Sequence, residues 1–419
     1  MSATSAATTL TGARVVVVNW RDLDHSLAGG SERYAWEFAR ALRDAGAHVE
    51  FITARDAGQS RRDIRDGIAI LRGGGAFTFY AHAAWSLLKR RGSLDVVIDP
   101  ECGIPAFSPL FVKRSTSVVL VVHHVHQEQF ATYFPRPLAQ IGQWMERVAM
   151  PRVYRGRRTV VVSESTHVEM RRQLGWDHPV TIIENGASMP ETGPDGFLDK
   201  DVDRMVVLGR LVPHKRVDLV LRTLHDLRNE RPGLCLDVVG KGPELDRLCR
   251  LAADLDLADR VTFHGYVAEE TKQEILRRAA LHVTASDIEG WGQVVIEAAG
   301  HGIATVARDV PGLRDSIRDG ETGFLVPDSA DLDVVQQRLT AAVRTALREL
   351  EAPENLRLLY KASQNWAAGF SWRRMHREAV GLIEDELRSS RPDSAGGAPA
   401  ITVTSSTAPT AASAATTER

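Results

Sequence analysis

The chain has 419 residues, of which 43% are apolar and 25% charged, and its formal net charge is -2. That length exceeds what one hydrophobic core organises and suits two domains with extensions. The near-neutral balance gives no ground for a nucleic-acid partner, and no window approaches the roughly 20 apolar residues of a membrane span. The cysteines, Cys102, Cys235 and Cys249, are scattered and odd in number. Their spacing predicts reduced, buried thiols of a cytoplasmic protein rather than a metal site.

Residues 1–12 are dominated by Ser, Ala and Thr, with no basic start and no long apolar run, and are expected to be disordered rather than a secretory signal. Arg14 to Asn19 is a short apolar run of the kind buried on both faces of a parallel sheet. A loop ending Ala28-Gly29-Gly30-Ser31-Glu32 follows, and then Tyr34, Phe38, Ala41 and Leu42 recur at helical spacing. Ser31 is the expected N-cap. A strand, a glycine loop and a helix together let the backbone approach a phosphate, although any tight turn also needs glycine. The loop is not the G-x-G-x-x-G dinucleotide fingerprint, which argues against a nicotinamide enzyme.

Alternation continues with a strand over 48–53, a helix over 77–90 and strands over 94–99 and 118–122, the pattern of a doubly wound sheet. The last strand runs into His123-His124-Val125-His126. Spacing alone weighs a packed histidine with solvated neighbours equally against a cleft site. Zinc is disfavoured because no carboxylate or cysteine completes a ligand set nearby in the sequence. A helix over 144–153, a strand over 159–162 followed by Ser163 as the cap of the next helix, and a strand over 180–183 complete a first domain, residues 13–188. Residues 189–203, rich in Pro, Gly and Asp, read as a linker.

A second domain, residues 204–370, opens with another buried strand followed by Gly209-Arg210-Leu-Val-Pro-His-Lys215-Arg216. A forked guanidinium and a point charge on one loop suit a diphosphate, whereas most basic loops are merely solvated. Strands over 234–239 and 261–263 end in further glycine turns. Residues 281–284 then lead into Ser286-Asp-Ile-Glu289-Gly-Trp-Gly-Gln-Val-Val-Ile-Glu297, a strand end, loop and helix with two carboxylates bracketing Gly290 and Gly292. Helices are expected over 332–350 and 355–367, and a last helix over 371–388 is followed by a low-complexity tail over 389–419.

The string Glu289 to Glu297 resembles the E-x7-E signature of the retaining glycosyltransferases of family 4, and Gly209-Arg210 to Lys215 resembles their donor-phosphate motif. The resemblance covers roughly residues 13 to 388 and is strongest in the second domain. It implies an α/β protein of GT-B architecture, two Rossmann-like doubly wound parallel-sheet domains facing across a cleft, with the last helix crossing back to the first domain. It implies transfer of a sugar from a nucleotide-diphosphate sugar, UDP by default, to an acceptor hydroxyl with retention of configuration.

By the same resemblance His123, Arg210, Lys215 and Glu289 are the catalytic group. Gly30, Gly209, Arg210, Lys215, Glu289, Gly290, Gly292 and Glu297 hold the donor, with Glu297 on the ribose. Gly29, Gly30, His124 and His126 lie on the acceptor side, and His124 rivals His123 for the place beside the sugar. No metal ligand and no cofactor beyond the substrates is expected, because no Asp-x-Asp motif accompanies the site. The alternatives are a nucleotide-sugar epimerase or hydrolase of the same fold, or a non-catalytic sugar-nucleotide-binding protein. Two apolar-basic stretches, residues 85–91 and 152–158, suit either a solvated helix face or weak peripheral contact with an anionic membrane.

Overall fold

The computed structural model describes residues 9–190 and 195–390. The first domain is built on an eight-stranded sheet of β1 (Arg14–Val18), β2 (His48–Thr53), β3 (Arg62–Arg65), β4 (Ile68–Arg72), β5 (Val96–Glu101), β6 (Ser117–Val122), β7 (Arg158–Val161) and β8 (Thr181–Ile182). Its order is β3-β4-β2-β1-β5-β6-β7-β8. The second is built on β9 (Asp201–Leu208), β10 (Cys235–Val239), β11 (Val261–Gly265), β12 (Ala279–Thr284), β13 (Ala304–Arg308) and β14 (Gly323–Val326), in the order β11-β10-β9-β12-β13-β14. Strand order reverses beside β1 in one sheet and beside β9 in the other, and ligands of open α/β sheets bind where the order reverses, beyond the carboxyl ends of the strands.

Runs of Val explain the central strands. Val15 and Val17 enter one apolar cluster and Val16 and Val18 the other, so the two-residue period of β1 feeds both faces of the sheet. The closing helix Trp372–Ser390 belongs to the first domain's core. Met375, Ala379, Leu382 and Ile383, at helical spacing, pack with Tyr34, Phe38 and Leu42 of the Gly30–Asp44 helix. His376 Nε2 lies 3.0 Å from Glu37 Oε2, and Arg158 Nε lies 2.9 Å from Glu386 Oε1.

Several expectations change. The second sheet is wholly parallel, but the first is mixed, because β3 and β4 form an antiparallel hairpin at its edge. The signal was Asp66-Gly67, with φ of 51° and 75°, the pair of left-handed residues that a two-residue hairpin turn requires. Leu10 is buried and its N–H donates to Ala45 O at 2.9 Å, so residues 9–12 are not the disordered start expected of 1–12. Residues 1–8, residues 191–194 of the expected linker and residues 391–419 of the expected tail lie outside the described residues. Gly29, not Ser31, is the N-cap of its helix, since the extended backbone ends one residue before Gly30. The cysteines are unpaired but not buried: Cys249 is exposed, on a helix that turns Leu248 and Ala252 inward.

Candidate active site

A cleft of about 600 Å³ lies between the two sets of strand ends. Gly29, Gly30, His123 and His124 of the first domain line it, as do Gly209, Arg210, Lys215, Glu289, Gly290 and Glu297 of the second. Residues expected to act together, from positions up to 268 apart in sequence, thus meet in one place.

On the first domain, the Gly29-Gly30 turn is held by Glu32, which is 1% exposed. Its Oε2 accepts from Gly29 N at 2.7 Å and its Oε1 accepts from Arg21 Nε at 2.8 Å. A carboxylate three residues inside a helix satisfies an otherwise orphaned N–H at the helix start. The glycine itself leaves room for the opposite wall: a Cβ at Gly29 would lie 3.4 Å from Arg210 Nε. Sequence reasoning passed over Glu32 as a loop residue, although the Gly29-x-x-Glu32 spacing is a helix-start signal.

His123, at the end of β6, is 6% exposed. Burial pushes its pKa down to about 4, opposed by Glu32 and reinforced by His126, so the ring is neutral at physiological pH. Tyr34 packs edge-on against it at 5.2 Å, and its Nε2 has no hydrogen-bond partner. His124 is half-buried, lines the cleft and has its Nε2 3.1 Å from Gln129 Oε1, so it already has a partner. Burial, with His126 next, holds its pKa well below the usual range.

His126 does not line the cleft. Its ring stacks on His124 at 4.0 Å, and its Nδ1 lies 3.3 Å from Glu146 Oε1 and 3.8 Å from Glu101 Oε1. His126 follows the end of β6, is the N-cap of the helix Gln127–Tyr133 and is buried against these acids rather than facing the cleft. The absence of a nearby carboxylate in sequence was misleading, since β5 and a π-type turn, Met145–Ala149, bring Glu101 and Glu146 to it. These three form the single compact His/Cys/Asp/Glu group of metal-ligating type among the described residues. Glu146, however, already accepts from His126 N and Gln127 Nε2, both at 2.6 Å. Glu101 has neither carboxyl oxygen partnered, and burial together with Glu146 holds its pKa well above the carboxylate range. The group is therefore a buried acid pair that fixes the β6 turn.

On the second domain, Lys215 Nζ pairs with Glu289, whose Oε1 also accepts from Ser286 Oγ at 3.1 Å. Arg210 is exposed and makes no ion pair among the described residues. Asp287 braces the Glu289 loop through Arg216 Nε at 2.8 Å and through Arg308, and its N–H donates to His214 O at 2.8 Å. Glu297 receives Lys272 Nζ at 3.4 Å. Burial alone would lower the Lys272 pKa, but Glu297 and Glu269 outweigh it and raise it. Gly292 is not in the cleft; a Cβ there would overlap Ser316 Oγ, so this glycine serves close packing at a helix start.

The domains also touch directly. Thr166 Oγ1 donates to His123 O at 3.1 Å and lies 3.4 Å from Gly290 O, while Ser165 N and Oγ both donate to Asp315 at 3.0 Å. A Cβ at Gly290 would overlap the His123 carbonyl oxygen, so only glycine lets the two loops meet. Gln293 bridges to Asn185 Nδ2 and Gly186 O, both at 2.9 Å, and Tyr133 Oη lies 2.9 Å from His214 Nδ1. None of these cross-domain partners carries a local sequence signal.

Residues 28–189 match the domain described as Glycosyltransferase Family 4, and residues 190–357 match the one described as Glycosyl transferases group 1. The chain is thus a two-domain protein of the GT-B type. Its first half matches the former domain and its second half the latter, with no gap between the two matches.

It is 35% identical over 187 residues to a GDP-mannose-dependent alpha-(1-6)-phosphatidylinositol monomannoside mannosyltransferase of Mycolicibacterium smegmatis, a match covering 42% of this chain and 46% of that protein. It is 35% identical over 185 residues to a D-inositol 3-phosphate glycosyltransferase of Nocardia farcinica, covering 42% and 38%. The chain therefore spans less than half the length of these two relatives. Among solved structures, sucrose-phosphate synthase from Thermosynechococcus elongatus superposes with a TM-score of 0.73 over 90% of this chain and 100% of that one, at 20% identity, a likeness of fold.

Proposed function

We propose that the protein transfers a sugar from a nucleoside-diphosphate sugar to an acceptor hydroxyl with retention of anomeric configuration. The observation that carries this reading is the cleft itself: a free guanidinium, Arg210, lies against the Gly29 turn, with the Lys215–Glu289 pair in the same cavity. Leaving-group departure breaks the bond between the anomeric carbon and the phosphate oxygen and puts negative charge on the diphosphate. Arg210 forks two of its oxygens and Lys215 supplies a point charge, both in place before reaction.

Donor binding then separates Lys215 from Glu289, freeing the carboxylate to accept from sugar hydroxyls, while Glu297 accepts from the ribose. His123, neutral and with Nε2 unpartnered, is matched to a sugar hydroxyl rather than to a charge. The acceptor oxygen bonds to the anomeric carbon on the face the diphosphate leaves, and its proton passes to the departing phosphate oxygen. Two fixed cations supply the charge at the leaving group, so turnover is expected to persist in excess chelator.

The test is thermal stabilisation of the purified protein by UDP, GDP and ADP and their sugar conjugates, because a ligand that binds only the folded form raises Tm. UDP is the expected base, and the GDP-mannose dependence of one relative makes GDP its first competitor. A shift with one nucleotide that is lost in Lys215→Ala supports the reading; no shift with any of them removes it. No helix among the described residues is long and apolar enough to cross a membrane.

A further inference from the structure

A second groove opens beside the cleft, on the first domain only. It has a volume of about 820 Å³ and lies between the ends of β2 and β4 and the helix Phe79–Arg90. Six cations line it, Arg55, Arg61, Arg62, Arg72, Lys89 and Arg90, against one carboxylate, Asp56.

The pairing of these groups is uneven. Arg72 is consumed by Asp22, Asp24 and Asp63, and Arg90 by Glu50 at 2.8 Å. Asp56 stays ionised, its carboxylate accepting from Ser26 N at 2.9 Å and Ala57 N at 2.8 Å. Arg61 and Arg62, both exposed, have no acidic partner among the described residues; Arg55 bonds only the Gln59 carbonyl, and Lys89 lies 4.8 Å over the Trp85 ring. Among the described residues the groove therefore holds four cations without an ion-pair partner, against the single charge of Asp56. In its wall, His82 packs on Gly73 and its Nε2 has no hydrogen-bond partner.

One loop lies between the groove and the cleft. Asp24, His25 and Ser26 line the cleft, and the same loop is tied to the groove by Ser26 with Asp56 and by Asp24 with Arg72. A ligand whose hydroxyl reaches Gly29 and His123 and whose other end lies between β4 and the helix passes over this loop.

We propose that this groove binds a phosphate group carried by the acceptor, on the side of the molecule away from the reacting hydroxyl. The inference rests on the reading of the cleft as a glycosyl-transfer site and names the acceptor's chemistry. Guanidinium forks match tetrahedral oxyanions, and four cations without an ion-pair partner, against the one charge of Asp56, favour an anionic ligand over a neutral sugar. The phosphate has two sources. One is a soluble phosphorylated sugar or polyol. The other is a lipid headgroup, for which Phe77, 71% exposed, and Trp85, 59% exposed, would meet the apolar boundary at the groove's helix. In the remaining basic stretch Arg158 is paired with Glu386 at 2.9 Å, and Arg152 and Arg157 donate to the Val148 and Thr116 carbonyls.

The experiment uses the full chain with its donor site filled by the stabilising nucleotide. Glucose 6-phosphate and glucose are titrated calorimetrically, and vesicles of phosphatidylglycerol with phosphatidylcholine are compared with phosphatidylcholine alone. Each is repeated with Arg61→Ala/Arg62→Ala, two exposed side chains outside the nucleotide site. Binding in at least one phosphate arm, with none to glucose or neutral vesicles, and a loss of about tenfold or more in the double variant is expected. Glucose 6-phosphate binding alone assigns a soluble acceptor, and vesicle binding alone a lipid. Failure of both arms, or equal binding by the double variant, overturns the proposal, because charges that merely protect the β3 edge from pairing would leave phosphate binding unchanged. The nucleotide shift, read separately, reports on the cleft alone.

Discussion

The two walls of the cleft are built on different physical terms. The second domain contributes charge: Lys215, Glu289, Arg210 and Glu297 stand on loops and a helix at the edge of a wholly parallel sheet, braced by Asp287 between Arg216 and Arg308. Besides Asp24 and Arg33, the first domain contributes neutral and backbone groups: the Gly29-Gly30 turn held by Glu32, and a buried, uncharged His123. The charged wall suits the part of a reaction where charge develops. The neutral wall suits recognition of hydroxyls and close approach of a second substrate.

The sharpest way to break that contrast is Lys215→Ala. Loss of a preorganised charge at the leaving group is expected to cost on the order of 10²-fold or more in turnover. Steady-state rates with the stabilising donor check it, and a near-normal rate would remove Lys215 from the chemistry.

Next comes the seam between the walls. Gly290→Ala places a Cβ on the His123 carbonyl, which overpacks a closed contact and is expected to destabilise by about 1–3 kcal/mol and to raise the donor KM. Gly92→Ala, where nothing lies near the new Cβ, is expected to stay within about 0.5 kcal/mol of the parent. Urea midpoints of the two variants decide whether the meeting of the loops matters.

The neutral wall has its own pH signature. Between about pH 6.5 and 4 the unfolded chain protonates His123 while the folded chain does not, so the unfolded state binds more protons and stability rises with pH across that window. His123→Asn should flatten part of that slope, read from urea midpoints at pH 5 and pH 7. An unchanged slope would mean that the ring is not held neutral by burial.

The smallest expected effect lies under the same wall. Because the Glu101 pKa is raised in the folded state, its contribution is full at low pH and is lost as pH rises through the folded value. Glu101→Gln keeps a neutral group beside Glu146 at every pH, so its Tm relative to the parent should improve steadily toward alkaline pH. A constant difference would show that Glu101 is ionised throughout.

The charged wall was nearly all legible in sequence, because Gly209-Arg210 to Lys215 and Glu289 to Glu297 are local strings that follow strand patterns and resemble family motifs. The neutral wall was half legible. His123 and the glycine pair were visible, but the directions of the three histidines were not, since all of them follow the end of β6, where strand alternation no longer fixes which way a side chain faces. His126 fell on the wrong side for that reason, and its partners Glu101 and Glu146 come from 25 positions before and 20 after it. The β3–β4 hairpin was legible in Asp66-Gly67 and was missed beneath the stronger strand-helix alternation.

By itself the sequence determined two parallel-sheet domains, their glycine turns and the charged loops, because hydrophobic period and turn chemistry act within a few residues. Only the tertiary structure decided which histidine faces the cleft, that Glu32 and Gly290 hold its two walls, and that four unpaired cations collect beside it. Those outcomes depend on burial and on partners distant in the chain, and burial is a property of the folded whole.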